Sequence, residues 1–446
     1  MLYKITKGLD LHLSGVASHN IETAPKADLY YIRPSNFRWF TPKLLVNEGD
    51  TVSIGTPLLA SKKDTRIIIA SPIQGTVKSI LRGEKRVIEA IVIQAQEDAP
   101  DKQIIDFDEP NTSNDLIRLL LSTGLWPMIR QRPFSTIASP DQLPKALFIS
   151  CFDSAPLAPD INMLLKNREE DFEKGLCALR TIIGEAPIYL CLRKNGDNAF
   201  FENITDVKIC YFQGPHPAGN IGTQIHYIAP LDKGEHIWYI HPQDIAAIGQ
   251  LLRTHQLCFE KVIAVTGPCA LKPQYYKVIY GSDISPILKQ VTKGSNVRYI
   301  SGNVLTGEKI DQFPTIRFYD TQLSMIDEGG NREFIGWLLP GFKKWSFSHT
   351  FTAWLFKHKV FKFNTSLHGG RRNFIMTDIY DKVFPFDIIP LALLKACLTK
   401  DIEQMEELGI YEVDDEDFAL CEVVCPSKME CQEIIRNGLK TIIEEN

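Results

Sequence analysis

The chain has 446 residues, 44% hydrophobic and 23% charged, an ordinary globular balance for which the usual length prior favours about three domains. A formal net charge of -5 argues against a general nucleic-acid binder, and no apolar run reaches the ~18 residues that a membrane-spanning helix needs. The opening MLYKITKGLDLHLSG is broken by Lys4, Lys7, Asp10 and His12, so it lacks the apolar stretch of a secretory signal and a cytoplasmic chain is expected. Ten irregularly spaced cysteines do not suggest a disulfide scaffold, and Cys151 and Cys210, flanked by apolar strand residues, read as buried thiols.

Residues 1–108 read as all-β. VNEGDTVSIGTPLLAS and IIIASPIQGTVKSI are short apolar strands punctuated by Gly49-Asp50, Gly55, Pro72 and Gly75. Their V-x-E-G-D-x-V-x-x-G pattern resembles the barrel-sandwich fold of biotinyl and lipoyl carriers, which present one modified lysine on a tight hairpin. Here that place reads SKKDTR, with Lys62 and Lys63 side by side and none of a carrier's flanking residues, so a purely structural sandwich is expected. A polar stretch, Gln94 to Asn114, reads as a linker.

Residues 115–256 alternate strand and helix signals. KALFISCF is strand-like, and Ile161 to Ile183 is helix-like, with the charged run NREEDFEK on its wet face. PIYLCL, VKICYF and HIWYI follow as short buried strands, and Pro242 stands at the start of the amphipathic helix IAAIGQLLRTH. This order predicts a doubly wound, Rossmann-like α/β domain. After the strand VKICYFQ comes GPHPAGNIGTQIH, Gly214 to His226. Glycines there permit close approaches and prolines stiffen the loop, and a stiff loop at a strand end is where α/β proteins place ligands or partners. Gly214, His216, Pro217, Gly219, Gly222 and His226 are the candidate site residues. His226 is placed on the start of the next strand, and His216 is expected to hydrogen-bond within the loop and shape it. The pair lacks further metal ligands.

Over residues 257–375 the strand pattern returns in KVIAVTGP, VRYISGNVLTG and PTIRFYD. Leu338 to Phe363 then alternates Trp345, Phe347, Phe351, Trp354, Phe356, Phe361 and Phe363 with Lys343, Lys344, Lys357, Lys359 and Lys362. That composition suits strands with one buried face, or a surface against lipid head groups or membrane subunits. Arg371 and Arg372 follow Gly369-Gly370 and read as a solvated loop or a binder of an acidic group. Residues 376–446 look helical. Pro390 starts one helix, Gly409 ends the next, and Ser427 with Glu430 makes a capping box for the last. Ile434, Ile435, Leu439, Ile442 and Ile443 form its apolar face. The run Asp414 to Asp417 marks a helix start, where carboxylates complement the dipole. Cys421, Cys425 and Cys431 supply too few thiolates for a cluster and have no nearby histidine for zinc, so helix-packing thiols are expected.

Several of these segments in their order resemble one family: GPHPAGNIGTQIH, TGPCALKPQYYKVIYGSDISPIL, SGNVLTG, GGRRNF, FPFDIIPLALLKACLTKD and ELGIYEVDDEDFALCEVVCPSK. The chain resembles the NqrA family, which forms part of the sodium-pumping NADH:quinone oxidoreductase of bacterial membranes. The resemblance implies an SLBB-like region within 257–375. It also implies a peripheral subunit without a transmembrane helix, on the cytoplasmic side of the inner membrane, beside five other subunits, with quinone as substrate of the complex. NADH, flavins and iron–sulfur centres would belong to the partners. The flavin-carrying cousins of this family, such as the C component of the Rnf-type complex, have a glycine-rich loop after a helix near the start of the α/β domain. Here that place reads LLSTGLWPMIRQRPF, where bulky Leu125, Trp126 and Pro127 follow Gly124 and would fill the room a phosphate needs. No cofactor bound by this chain is therefore expected. The alternatives are a stand-alone flavin- and NADH-binding oxidoreductase, or a scaffold with no small-molecule site.

Overall fold

A computed structural model describes residues 1–330, 341–342, 344–351, 355, 360–375 and 377–445. The N-terminal β region holds two sheets. A four-stranded antiparallel sheet runs in the order Leu29–Ile32, Ile88–Ala95, Gly75–Arg82, Thr51–Val52, and a three-stranded one contains Pro42–Leu44, Pro57–Ser61 and Ile68–Ala70. Leu59 and Ile69 from one, with Ile91 and Ile93 from the other, share a single core. This is the sandwich that the resemblance of the V-x-E-G-D-x-V-x-x-G pattern implies. Lys62 and Lys63 are exposed at the turn after Pro57–Ser61, while Arg66 of the same turn pairs with Asp64 and Asp141.

The α/β region is built on a seven-stranded sheet. Its order is Leu2–Lys4, Lys208–Gln213, Ile188–Arg193, Leu147–Ser150, Ile237–Tyr239, Arg130–Arg132, Thr136–Ile137. The first five are mutually parallel; Arg130–Arg132 runs antiparallel to both its neighbours. Successive side chains point to opposite faces of a strand. Leu147 and Ile149 therefore join the core with helices Ser113–Thr123, Glu169–Ile183 and Pro242–Thr254, whereas Phe148 joins the opposite core with helix Ile221–Ile228. Helices on both faces make the sheet doubly wound, as expected. Helices Glu169–Ile183 and Pro242–Thr254 touch backbone to backbone: a Cβ on Gly249 would lie 1.7 Å from the Asp171 carbonyl oxygen.

Two N-terminal strands leave the β region. Leu2–Lys4 edges the α/β sheet, and Ser18–Thr23 pairs in parallel with Gln274–Ile279. The latter belongs to a six-stranded sheet completed by Glu260–Thr266, Gln322–Asp327, Val297–Ser301 and Glu308–Lys309. The linker is partly structured, since Gln103–Ile104 pairs with Gln256–Leu257.

The C-terminal helices include Pro390–Thr399, Ile402–Glu407 and Cys431–Glu445. Pro390 occupies the first turn of its helix, and Gly409 follows the next in the left-handed conformation (φ 84°). Ile434, Ile435, Leu439 and Ile442 are buried along the last helix.

Four expectations need correction. The helix over Ile161 to Ile183 is two helices, Ile161–Leu164 and Glu169–Ile183, parted where Asn167 takes a positive φ of 61°. PTIRFYD is not a strand; strand Gln322–Asp327 pairs with Glu260–Thr266 instead, and Phe318 packs in a ring cluster with Phe37 and Tyr280. Ser427 does not cap the last helix, because its hydroxyl donates to the Asn373 carbonyl. Among the described residues of Leu338 to Phe363 no strand forms. Phe361 makes an isolated bridge to Leu13, and Trp345 packs edge-on against Phe363 at 6.1 Å. Lys343, Trp354, Phe356, Lys357 and Lys359 lie outside the described residues.

Candidate functional site

In an open parallel sheet, ligands gather outside the carboxyl ends of the strands where the strand order reverses. Here the chain leaves Leu147–Ser150 toward Ile188–Arg193 on one side and later returns to Ile237–Tyr239 on the other. A cleft of about 690 Å³ opens at that point, lined by Ser150, Phe152, Tyr239 and His241 from the α/β sheet and its loops. The other regions close it: Arg38 and Trp39 from the β region, Tyr319 from beside the six-stranded sheet, and Asp415 and Glu416 from the C-terminal part.

The loop from Gly214 to Asn220 forms part of this wall and also fastens the chain behind it. His216 is 3% exposed and lines the cleft. Its Nδ1 accepts from the Ser154 hydroxyl at 3.1 Å, and the same oxygen accepts from the Gly219 N–H at 2.8 Å. The partner is thus on the neighbouring loop rather than within its own. Burial pushes the His216 imidazole down to about 4, so it is neutral at physiological pH. Its backbone N–H donates to Asp10, and its carbonyl accepts from Leu9. Gly214 (φ 146°) has the Ile5 carbonyl oxygen where a Cβ would stand, at 2.1 Å. Pro217 is buried, and Gly219 lines the cleft. Gly222, in helix Ile221–Ile228, lies under the Asp417 carboxylate: a Cβ would come within 2.5 Å of it.

His226 sits in that helix, not on a strand. The Gly-Asn segment before it starts a helix because Asn220 takes an extended conformation and the following apolar residues pack on the Phe148 face. Nε2 accepts from the Asp387 N–H at 3.2 Å, so Nδ1 carries the proton donated to Glu412 at 2.7 Å. The six candidates are therefore divided. His216 and Gly219 reach the cleft; Gly214, Pro217, Gly222 and His226 work behind it, with His226 joining the C-terminal part.

Beside the cleft, the acidic run does more than start a helix. Asp414 caps the turn Asp415–Phe418 in a reciprocal box with Asp417, as a helix start requires. It also meets Arg38, the Ser135 hydroxyl and, at 3.5 Å, Nη1 of Arg132. The Arg132 side chain is 2% exposed and reaches Glu416 at 2.6 Å and Asp417 at 3.6 Å. Arg436 completes the knot on Asp415 at 2.8 Å. Burial alone would raise the Asp414 carboxyl, but Arg38 and Arg132 outweigh it and hold it below the usual range. Burial wins at Asp417, which is pushed up. Sequence reading missed Arg38, Arg130 and Arg132. The available signal was Arg130 and Arg132 in the otherwise apolar LWPMIRQR, since buried cations need carboxylates and the chain offers one dense run of them.

The segment expected to stand in place of a phosphate loop is an apolar, packed turn. Helix Ser113–Thr123 ends on Gly124 (φ 74°), and Leu125 and Trp126 after it are 0% exposed. The Trp126 indole donates to the Ala138 carbonyl at 2.8 Å and meets Trp238 edge-on at 5.6 Å. Cys421, Cys425 and Cys431 are free and buried in the C-terminal core, with the Tyr380 hydroxyl 2.9 Å from Cys425 Sγ. Among the described residues no three His, Cys, Asp or Glu side chains are grouped to hold a metal. Arg371 pairs with Glu430, and the Arg372 N–H donates to the Ser427 carbonyl.

Three family models match the chain. They are the NqrA N-terminal barrel-sandwich hybrid domain over residues 3–96, the NqrA second alpha/beta domain over 111–257, and the NQRA C-terminal domain, of SLBB type, over 262–312. The corresponding component of the Na(+)-translocating NADH-quinone reductase of Haemophilus influenzae is 35% identical over 450 residues, 99% of each chain. That of Yersinia pestis is 34% identical over 449 residues, and that of Neisseria meningitidis 35% over 453 residues, with both chains fully covered in each case. A chain of an NAD+-reducing [NiFe]-hydrogenase overlays 76% of this one, and 62% of its own length, at 11% identity and a TM-score of 0.39, too slight a likeness to say anything of chemistry.

Proposed function

The chain belongs to the NqrA family of the Na(+)-translocating NADH-quinone reductases, and from that premise we propose that it is a peripheral subunit on the cytoplasmic side of the bacterial inner membrane, supporting electron transfer to quinone coupled to Na+ export. The observation that carries this is the end-to-end match: 35% identity runs through 99% of both chains, leaving no block of this sequence without a counterpart. Among the described residues no helix is long and apolar enough to cross a membrane, in keeping with a peripheral place.

On this reading the chain carries no flavin of its own. Leu125, Trp126 and Pro127 are buried where the flavin-bearing cousins need room for phosphate. NADH, flavins and iron–sulfur centres belong to the five partner subunits. Quinone, an apolar ring with few polar anchors, suits an aromatic-walled cleft such as the one bounded by His216 and Gly219. Purification from detergent-solubilised membranes, with identification of the neighbouring chains, tests the assembly; a photoactivatable quinone tests the site. The expected result is co-purification and labelling of cleft peptides in the complex. Recovery of the chain alone, yellow with stoichiometric flavin and oxidising NADH unaided, would end the proposal.

A further inference from the structure

Arg130 and Arg132 stand two residues apart on one strand with opposite fates. Arg132 is matched by three carboxylates. Arg130 has no hydrogen-bond or ion-pair partner among the described residues, yet it lines the cleft at the strand-order reversal. Its guanidinium lies over two rings, 4.5 Å from the centroid of Tyr239 and 4.2 Å from that of Tyr319. Rings at these distances attract the cation but accept none of its N–H groups as a carboxylate would, so those groups are left to seek a partner. Glu416 and Asp244 are the carboxylates whose fields reach it, but neither forms an ion pair with it: Glu416 is taken by Arg132, and buried Asp244 shares its field with Lys261.

Carboxylates line the same cleft, but they are engaged: Arg317 holds Glu308 and Asp320, and Arg38, Arg132 and Arg436 hold Asp414, Glu416 and Asp415. Nη2 of Arg38 and Nε1 of Trp39 are buried without a hydrogen-bond partner, and both residues line it. His241 lines it too. Its Nδ1 accepts from the Gln243 N–H at 3.2 Å, so its proton sits on Nε2, which has no partner among the described residues. Buried donors without acceptors are rare in folded proteins, and the two on Arg38 and Trp39, beside the part-exposed donors of Arg130 and His241, ask for an acceptor.

We propose that this cleft, besides the room it offers an apolar ring, holds an oxyanion subsite, in which Arg130, held over Tyr239 and Tyr319, grips a phosphate or carboxylate group through its N–H groups, with His241 and Arg38 as further donors. A bidentate guanidinium–oxyanion pair is the strong, geometrically specific form of such recognition. The inference does not depend on the chain's place in a larger assembly, because every group named belongs to this chain.

Calorimetric titration of the full chain with inorganic phosphate, and separately with succinate, tests it, with chloride as the control. At least one oxyanion is expected to bind saturably with a Kd of about 1 mM or tighter. Arg130→Gln is expected to weaken that binding by about tenfold or more, and Arg130→Lys, which keeps charge but not the fork, to fall between. Phosphate alone binding would point to phosphate esters, and succinate alone to carboxylic acids. Absence of saturable binding for both, or equal affinity in Arg130→Gln, overturns the proposal. Should Arg130→Gln fail to fold, selenate soaked into crystals of the unaltered chain decides. An anomalous peak within about 3 Å of the Arg130 guanidinium nitrogens sustains the site, and a peak elsewhere or none refutes it.

Discussion

Two short turns pack against the α/β body, and they do so by different physics. Trp126–Met128 fills its space with apolar bulk. Asp415–Phe418, with its cap Asp414, fills its space with charge balanced by Arg38, Arg132 and Arg436. The first is local and nondirectional: its residues follow the helix they terminate. The second joins residues 376 apart in sequence, Arg38 and Asp414, and holds only while every charge has its counterpart. Apolar filling needs only volume, whereas buried charge makes the packing of three regions conditional on one another.

The sharpest way to break this contrast is Arg132→Ala. Removing one partner strands buried carboxylates, so a loss of about 3–5 kcal/mol is expected by denaturant unfolding. That loss should shrink as pH falls toward 4 and the stranded carboxylates protonate; an unchanged loss would mean charge is not what the knot contributes. Trp126→Ala should cost about 3–4 kcal/mol, through lost burial and the lost bond to Ala138, and its cost should not vary with pH. A pH-dependent cost there would blur the distinction.

His216 gives a third test, between the two in kind. Its folded value of about 4 lies below the ordinary 6.5, so between these the unfolded chain takes up a proton that the folded chain refuses. The stability it supports is present above about 6.5 and drains away as pH falls to about 4, by an amount on the order of 3 kcal/mol. His216→Asn, which keeps an acceptor for Ser154, should flatten that part of the melting-temperature profile; an unchanged slope would assign it to other groups. The smallest effect is expected from Thr112→Ala. It removes the cap of the helix leading into the apolar turn and should cost about 1 kcal/mol without altering the ionic knot, as thermal unfolding would register.

The same contrast explains what could be read from the chain beforehand. Short buried strands such as KALFISCF and the helix opened by Pro242 follow from local periodicity and proline placement, and they stand as expected. Trp126 was legible as apolar bulk because the packing around it is made by neighbours in sequence. Strand Leu2–Lys4 was not, since nothing local says that it pairs with residues 211–213. Arg38 was not either, because its partners lie at the far end of the chain. His226 was misplaced on a strand because its apolar neighbours fit both periods over so short a run, and packing against Phe148 settled the choice.

The seating of Leu2–Lys4 and Ser18–Thr23 in two different sheets bears on how the polypeptide matures. Both segments leave the ribosome early, yet the first must wait for Lys208–Gln213 and the second for Gln274–Ile279. Long-range closure of this kind slows folding and leaves unpaired edges open to chaperones in the meantime. The body therefore cannot ripen as beads along a string: its oldest residues lock late, and a pause in translation before residue 279 would leave a nascent chain with Ser18–Thr23 still unsheltered.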